Sequence, residues 1–241
     1  MLPDKFKERF STTLGDSDVA ALDMAGIELR ARIEPVLQMR KGAAYDDILY
    51  VRANILAYRQ MLLYRAIQVF EGALIAALNE NVYATALCVR AHFETAAAMG
   101  YLHKKLLSIR AKHIDLVKLG SDLAQLVLGS KQQTERCKPP VPKNVTTMLQ
   151  ETDKIINDSI QDDQKEYPIF VDSYGFLCEY AHPNYHSNRA SFDVDSMTDK
   201  FIFRYGKQMR DEEDSLLQYL LISNPRFLYL YDEIPQQLPT Q

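Results

Sequence analysis

The chain has 241 residues, with 28 Lys and Arg against 32 Asp and Glu (net −4), 47% hydrophobic and 25% charged residues. That composition excludes disorder over most of the length and allows a substantial core. Nine glycines, about half the usual ~7% share, disfavour glycine-rich nucleotide-binding α/β folds and turn-dense β-sandwiches.

The length predicts a single domain over residues 1–241. The first part, 1–43, is helical, with a helix over about Asp18–Met39. From Ile48 onward Val51, Ile55, Tyr58, Leu62, Ala66, Val69, Ala73 and Ala76 recur at spacings of three and four, the stripe of a long amphipathic helix. Asn79-Glu80-Asn81 ends it, and a second long helix runs from about Val82 to Ser108. Long helices joined by short polar connections pack as antiparallel neighbours, so 44–130 with 167–183 predicts the core of an all-α helical bundle.

Val82 to Leu102 has the length of a membrane span, but Arg90 and Glu94 lie in its middle. Each central charge opposes insertion by roughly 2.5–3.5 kcal/mol, so this segment is expected to be a buried bundle helix and not a span. Ala84, Ala86, Ala91, Ala96, Ala97, Ala98 and Gly100 would let neighbouring helices approach closely.

A further helix is predicted near Ile109–Gly129. Residues 131–166 then form a linker with an accessory helix: Pro139-Pro140-Val141-Pro142 favours an extended surface connection, Val145–Ile156 resumes helical spacing, and Asp158–Glu166 is a solvated acidic stretch. Pro168 suits the first turn of a helix running to about Ala181, and His182-Pro183 ends it. Over 190–241, Phe192 and Val194 alternate with polar residues, as do Phe201, Phe203 and Tyr205, which predicts a small β-hairpin near the C-terminus. Asp211–Asp214 suits a helix start; that helix should stop near Asn224-Pro225, with a short final one over Phe227–Asp232.

Cys88, Cys137 and Cys178 are odd in number and widely separated, with no Cys-x-x-Cys, which argues against zinc ribbons and disulfide frameworks. With charges where a signal peptide needs an apolar stretch, Met1–Lys7 fits a cytoplasmic protein with reduced thiols. Residues 1–110 carry a net of +2 and residues 111–241 a net of −6, which is not the footprint of a general nucleic-acid-coating protein but leaves room for a local basic site.

Two places depart from plain packing. Arg90 and Glu94 share a face of the most apolar helix; buried charges persist when paired or hydrogen-bonded. They form either a structural ion pair or a pocket in which Arg90 grips an anion bidentately. The second place is Glu179-Tyr180-Ala181-His182-Pro183-Asn184-Tyr185-His186. Glu179 and His182 adjoin on one helix face, and a histidine at a fixed helix end can act as acid or base, or simply complement the helix dipole. Glu179-x-x-His182 with Glu94 is half of a di-iron signature, which gives a metal-binding alternative; no cofactor or metal is expected. No Gly-x-Ser-x-Gly elbow is present. His92, His103 and His113 read as surface or packing residues.

Arg90-x-x-x-Glu94 on a long helix, followed by Tyr174-x-x-Leu177-x-x-x-x-His182-Pro183, resembles uncharacterised bacterial proteins related to the HEPN superfamily, over roughly Ile48–Asn184. The resemblance implies an all-α fold, often a homodimer, in toxin, phage-defence and RNA-processing systems. HEPN ribonucleases cleave RNA without metal, using an Arg and a His separated by four to six residues. Here the positions before His182 hold Gly175, Phe176 and Leu177, so Arg90 would have to supply the guanidinium from another helix. The expectation is a phosphate-binding pocket for RNA or a nucleotide: Arg90 on phosphate, Glu94 orienting, His182 as acid/base, Glu179 tuning it, and Asn184, Tyr174 and His186 contacting ligand. The alternative is a non-enzymatic interaction module whose polar cluster is structural.

Overall fold

The computed structural model describes residues 2–38, 46–132, 138–159, 167–205 and 208–239. The chain is an all-α helical bundle with one two-stranded antiparallel hairpin near its C-terminus. By internal contacts it divides into unit 1, residues 1–31, 66–93 and 172–224, and unit 2, residues 32–65, 94–171 and 225–241.

Unit 1 begins with α1 (Asp4–Leu14), whose buried Phe6, Phe10 and Leu14 recur every fourth residue. Gly15, at φ +87°, ends it in a backbone conformation that side chains disfavour. In α2 (Asp16–Ala31), Asp16 and Asp18 lie at the positive end of the helix dipole. The later parts of α3 (Ile48–Leu78) and the earlier parts of α4 (Val82–Arg110) belong to this unit. Phe70 and Phe93 are fully buried on them, each stabilising by roughly 1.5–3 kcal/mol. Between α3 and α4, Glu80 takes a left-handed φ of +58°, so the Asn79–Asn81 break lies where polar turn residues predict it.

Most of α7 (Ile169–Ala181), then α8 (Tyr185–Ala190), β1 (Phe192–Asp195), β2 (Lys200–Phe203) and α9 (Asp211–Asp214) complete unit 1 with the first half of α10 (Gln218–Glu233). The strands pair Phe192 with Phe203 and Val194 with Phe201, as the alternation predicts. Arg204 and Arg210 fasten this hairpin through Asp193 at 3.2 and 2.9 Å.

Unit 2 contains the first part of α3, the second part of α4, α5 (Leu116–Leu128), α6 (Val145–Ser159) and the end of α10. Asp115 caps α5 by accepting from the Lys118 amide at 2.7 Å. Of the small residues of α4, Gly100 shows the close approach that the sequence predicts. At Gly100 an added Cβ would lie 2.2–2.9 Å from Thr152 of α6, whose hydroxyl donates to the Ala97 and Met148 carbonyls. Asp153 of α6 caps the start of α7 by accepting from the Phe170 and Val171 amides at 2.8 and 3.1 Å.

Three differences have physical causes. The predicted Asp18–Met39 helix is α2, which ends at Ala31, with the separate helix α1 before it across Gly15, and residues 39–45 lie outside the described residues. The predicted 109–129 helix begins only at Leu116, after a turn in which Lys112 has φ +58°. α10 does not stop at Pro225 but carries it inside the helix. An interior proline costs about 3 kcal/mol; burial of Phe227, Leu228, Leu230 and Tyr231 beyond it offsets that several-fold. Cys137 and most of the acidic 158–166 stretch lie outside the described residues.

Among the described residues α3, not α4, is long and apolar enough to cross a membrane, and half of its most apolar window is buried. A half-buried core helix of this kind is consistent with a soluble protein.

Candidate functional site

Arg90 and Tyr174 meet in unit 1. Arg90 Nη2 donates to the Tyr174 hydroxyl at 2.9 Å, and the guanidinium carbon lies 5.0 Å from the ring centroid. The two helices whose contact the motif required, α4 and α7, therefore touch. The phenol fixes the guanidinium by a hydrogen bond and a cation–π contact together. Glu94 belongs to unit 2, where it lies 3.6 Å from Arg65.

His182 is exposed at the C-terminal end of α7. Its amide closes the helix on the Cys178 carbonyl at 3.2 Å. It lies eight residues beyond Tyr174, about 12 Å along the axis at 1.5 Å per residue, and no hydrogen bond or ion pair among the described residues joins it to Arg90. Glu179 and Asn184 are brought together: the Asn184 amide donates to Glu179 Oε1 at 3.1 Å across the turn that carries His182.

His186 opens a different site. At 100° per residue, positions 176 and 180 lie on the side of α7 away from 174. There the His186 ring packs against Phe176, Tyr180 and Tyr185 at centroid distances of 5.3, 5.8 and 5.4 Å. Phe176 also stacks on Tyr219 at 5.5 Å with planes 15° apart. Phe176, Tyr180, Tyr185 and His186, with Arg189, Arg210, Glu212 and Glu213, line a cavity of about 350 Å³. Arg210 is balanced by Glu213 at 3.2 Å and Asp193 at 2.9 Å. Arg189 donates to the Phe192 carbonyl and lies over the Phe192 ring, with no carboxylate partner among the described residues. Burial, with the Glu213 carboxylate nearby, pushes the Tyr180 phenol up to about 12; burial also raises Glu213. The sequence reading selected His186 and missed Arg189 and Arg210. An Arg three residues after His186 was the available signal, but nothing local shows that α8 folds back on α7.

Of the remaining histidines, His92 and His103 are buried packing residues and His113 is exposed. Cys88 and Cys178 are half-buried free thiols, and burial pushes Cys88 upward, away from nucleophilic use. Among the described residues no group of three or more His, Cys, Asp or Glu is placed to hold a metal ion. Compared with family models, curated proteins and solved structures, the chain matches none.

Proposed function

We propose that this chain is a cytoplasmic HEPN-like protein that binds a phosphate-containing ligand, single-stranded RNA or a nucleotide, at the aromatic cavity of α7 and α8. One observation carries the reading: His186, Tyr180 and Tyr185 form a ring-lined wall beside Arg189, a guanidinium that makes no ion pair among the described residues. Unpaired bases stack on such rings at about 1–3 kcal/mol each, and the guanidinium fork matches phosphate. On the other side of α7, Arg90 held by Tyr174 would take a second phosphate, and His182 would move the proton if the strand is cut. The Glu179–Asn184 bond would steady the turn carrying His182. With labelled single-stranded RNA, Tyr185→Ala and Arg189→Ala should each weaken binding about tenfold, from the loss of one stacking or phosphate contact. Wild-type affinity in both variants overturns the reading. His182→Ala should abolish metal-independent cleavage with an unchanged melt; unchanged cleavage removes His182 from the mechanism.

A second reading, an interaction module that pairs with a second copy of itself, is favoured by the hairpin. Every residue of β2 is exposed, including Phe201 (65%) and Phe203 (59%), and Tyr205 beyond it is 92% exposed. At 150–250 Å² per aromatic side chain, these three present about 400 Å². Val194 and Met197, also exposed, bring the patch towards the ~800 Å² per partner of a standard interface. Sedimentation should show a dimer that Phe201→Ser/Phe203→Ser converts to monomer; a monomeric wild type at high concentration refutes this reading.

A further inference from the structure

Asp122 of α5, in unit 2, is buried, and three ammonium groups converge on its carboxylate. Lys105 Nζ lies 2.9 Å from Oδ2; Lys118 and Lys143 Nζ lie 3.1 and 3.6 Å from Oδ1. Lys105 and Lys143 also lie 5.2 and 5.8 Å from the Tyr101 ring centroid. Burial opposes the Lys105 charge, but its bond to Asp122 outweighs that and raises its pKa, while Asp122 is held below the ordinary carboxylate range. Lys105 and Asp122 are therefore ionised near neutrality.

One carboxylate neutralises one of three ammonium charges. Together the three lysines offer nine N–H donors, and a carboxylate accepts about four, so most donors have no acceptor in Asp122. The nearest further acid in sequence, Asp115, is occupied in capping α5. Residues 104–143 hold nine Lys and Arg against three Asp and Glu, a net of +6 in a chain whose total is −4. Like charges held this close repel, and an added anion would relieve the repulsion.

The third lysine is placed by design of the backbone. The extended Pro139–Lys143 segment is tied to the end of α5 by the Ser130 amide donating to the Pro140 carbonyl at 3.0 Å. At Gly129 an added Cβ would come within 2.7 Å of Pro142 Cα, so glycine lets the segment reach Asp122.

We infer that Lys105, Lys118 and Lys143, gathered by Asp122, form an anion site for a multiply charged phosphate group such as an oligophosphate chain. The buried carboxylate sets the spacing of the ammonium groups, and the donors of exposed Lys118 and half-buried Lys143 face the ligand. The site lies in unit 2 and does not depend on the aromatic cavity of unit 1. Three cations within one carboxylate's reach suit a compact charge better than an extended backbone with one charge per nucleotide.

The test is calorimetric titration of the full chain with tripolyphosphate at low salt, and with matched RNA oligonucleotides bearing a 5′-triphosphate or a 5′-hydroxyl. Tripolyphosphate should bind the wild type. Lys118→Gln/Lys143→Gln should weaken it at least about tenfold and lower the salt slope by about 2, while Lys154→Gln, at an exposed lysine of α6 outside the cluster, binds it normally. Preference for the 5′-triphosphate strand identifies a terminal oligophosphate as the source; equal binding of both strands at this site identifies the RNA backbone. Failure of tripolyphosphate to bind the wild type, or equal binding to the double variant with an unchanged melt, overturns the inference.

Discussion

Replacing Arg9 by methionine is expected to destabilise unit 1 by about 3–5 kcal/mol, because it leaves a buried carboxylate without its cation. Arg9 Nη1 lies 2.9 Å from Asp214 Oδ2, and Nη2 donates to Oδ1 at 3.2 Å, while Nε donates to Glu80 Oε1 at 3.0 Å. The Asp214 side chain is wholly buried. Burial raises the Asp214 carboxyl pKa and Arg9 draws it back, so without Arg9 the group must either protonate or remain a buried charge. Glu80, itself held in left-handed backbone, adds a second demand: its carboxylate also accepts from the Met209 amide at 2.7 Å. Methionine keeps much of the aliphatic packing, so the loss is chiefly electrostatic. Denaturant melts measure it. Arg9→Met/Asp214→Asn should recover part of the stability, since the neutral amide does not need the cation. A single-variant loss below about 1 kcal/mol, the size of an exposed ion pair, would show that the network is solvated.

The fold was legible where one helix face repeats and a polar break intervenes. The stripe from Val51 to Ala76 and the Asn79–Asn81 turn give α3 and the start of α4 within a few residues of their bounds, because amphipathic periodicity reports burial directly. Pro225 misled for the opposite reason: the proline rule is local, and the burial of Phe227, Leu230 and Tyr231 that overrides it is tertiary. The sites divide in the same way. Arg90 stands out as a charge among apolar residues and His186 as a member of the Glu179–His186 cluster, but Tyr174 as the partner of Arg90 is 84 positions away. The Asp122 lysines come from α4, α5 and the segment after it, and a single aspartate in an amphipathic helix gives no local sign of being buried. Gly100 could be read as a close approach, though not that Thr152 would fill it. Spacing within one element is visible in sequence, whereas convergence between elements is not.

Acidification should weaken the fold through His92. Its ring is fully buried, with Nδ1 2.8 Å from Ser223 Oγ and the ring centroid 6.2 Å from that of Phe70. Burial pushes its pKa down to about 4, against partial support from Asn224; the unfolded chain should protonate near the ordinary ~6.5. Between those values the unfolded state binds the proton and the folded state does not, so stability falls as pH drops from about 6.5 to about 4 and is fully present above 6.5. The difference of about 2.5 units corresponds to about 3 kcal/mol. Burial lowers His103 as well, adding a loss of the same sign. Glu213 and Asp214, raised by burial, act the other way: their folded forms hold protons longer than the unfolded chain does, which adds stability as pH falls. The His92 contribution is therefore isolated by comparing wild type with His92→Gln in urea melts at closely spaced pH values. The stability gap between the two proteins should narrow as pH falls through the window, since glutamine has no proton to gain. Parallel curves from pH 7 to pH 4 would mean that the imidazole is reached by water, and that the contact of α4 with Ser223 opens long before the chain unfolds.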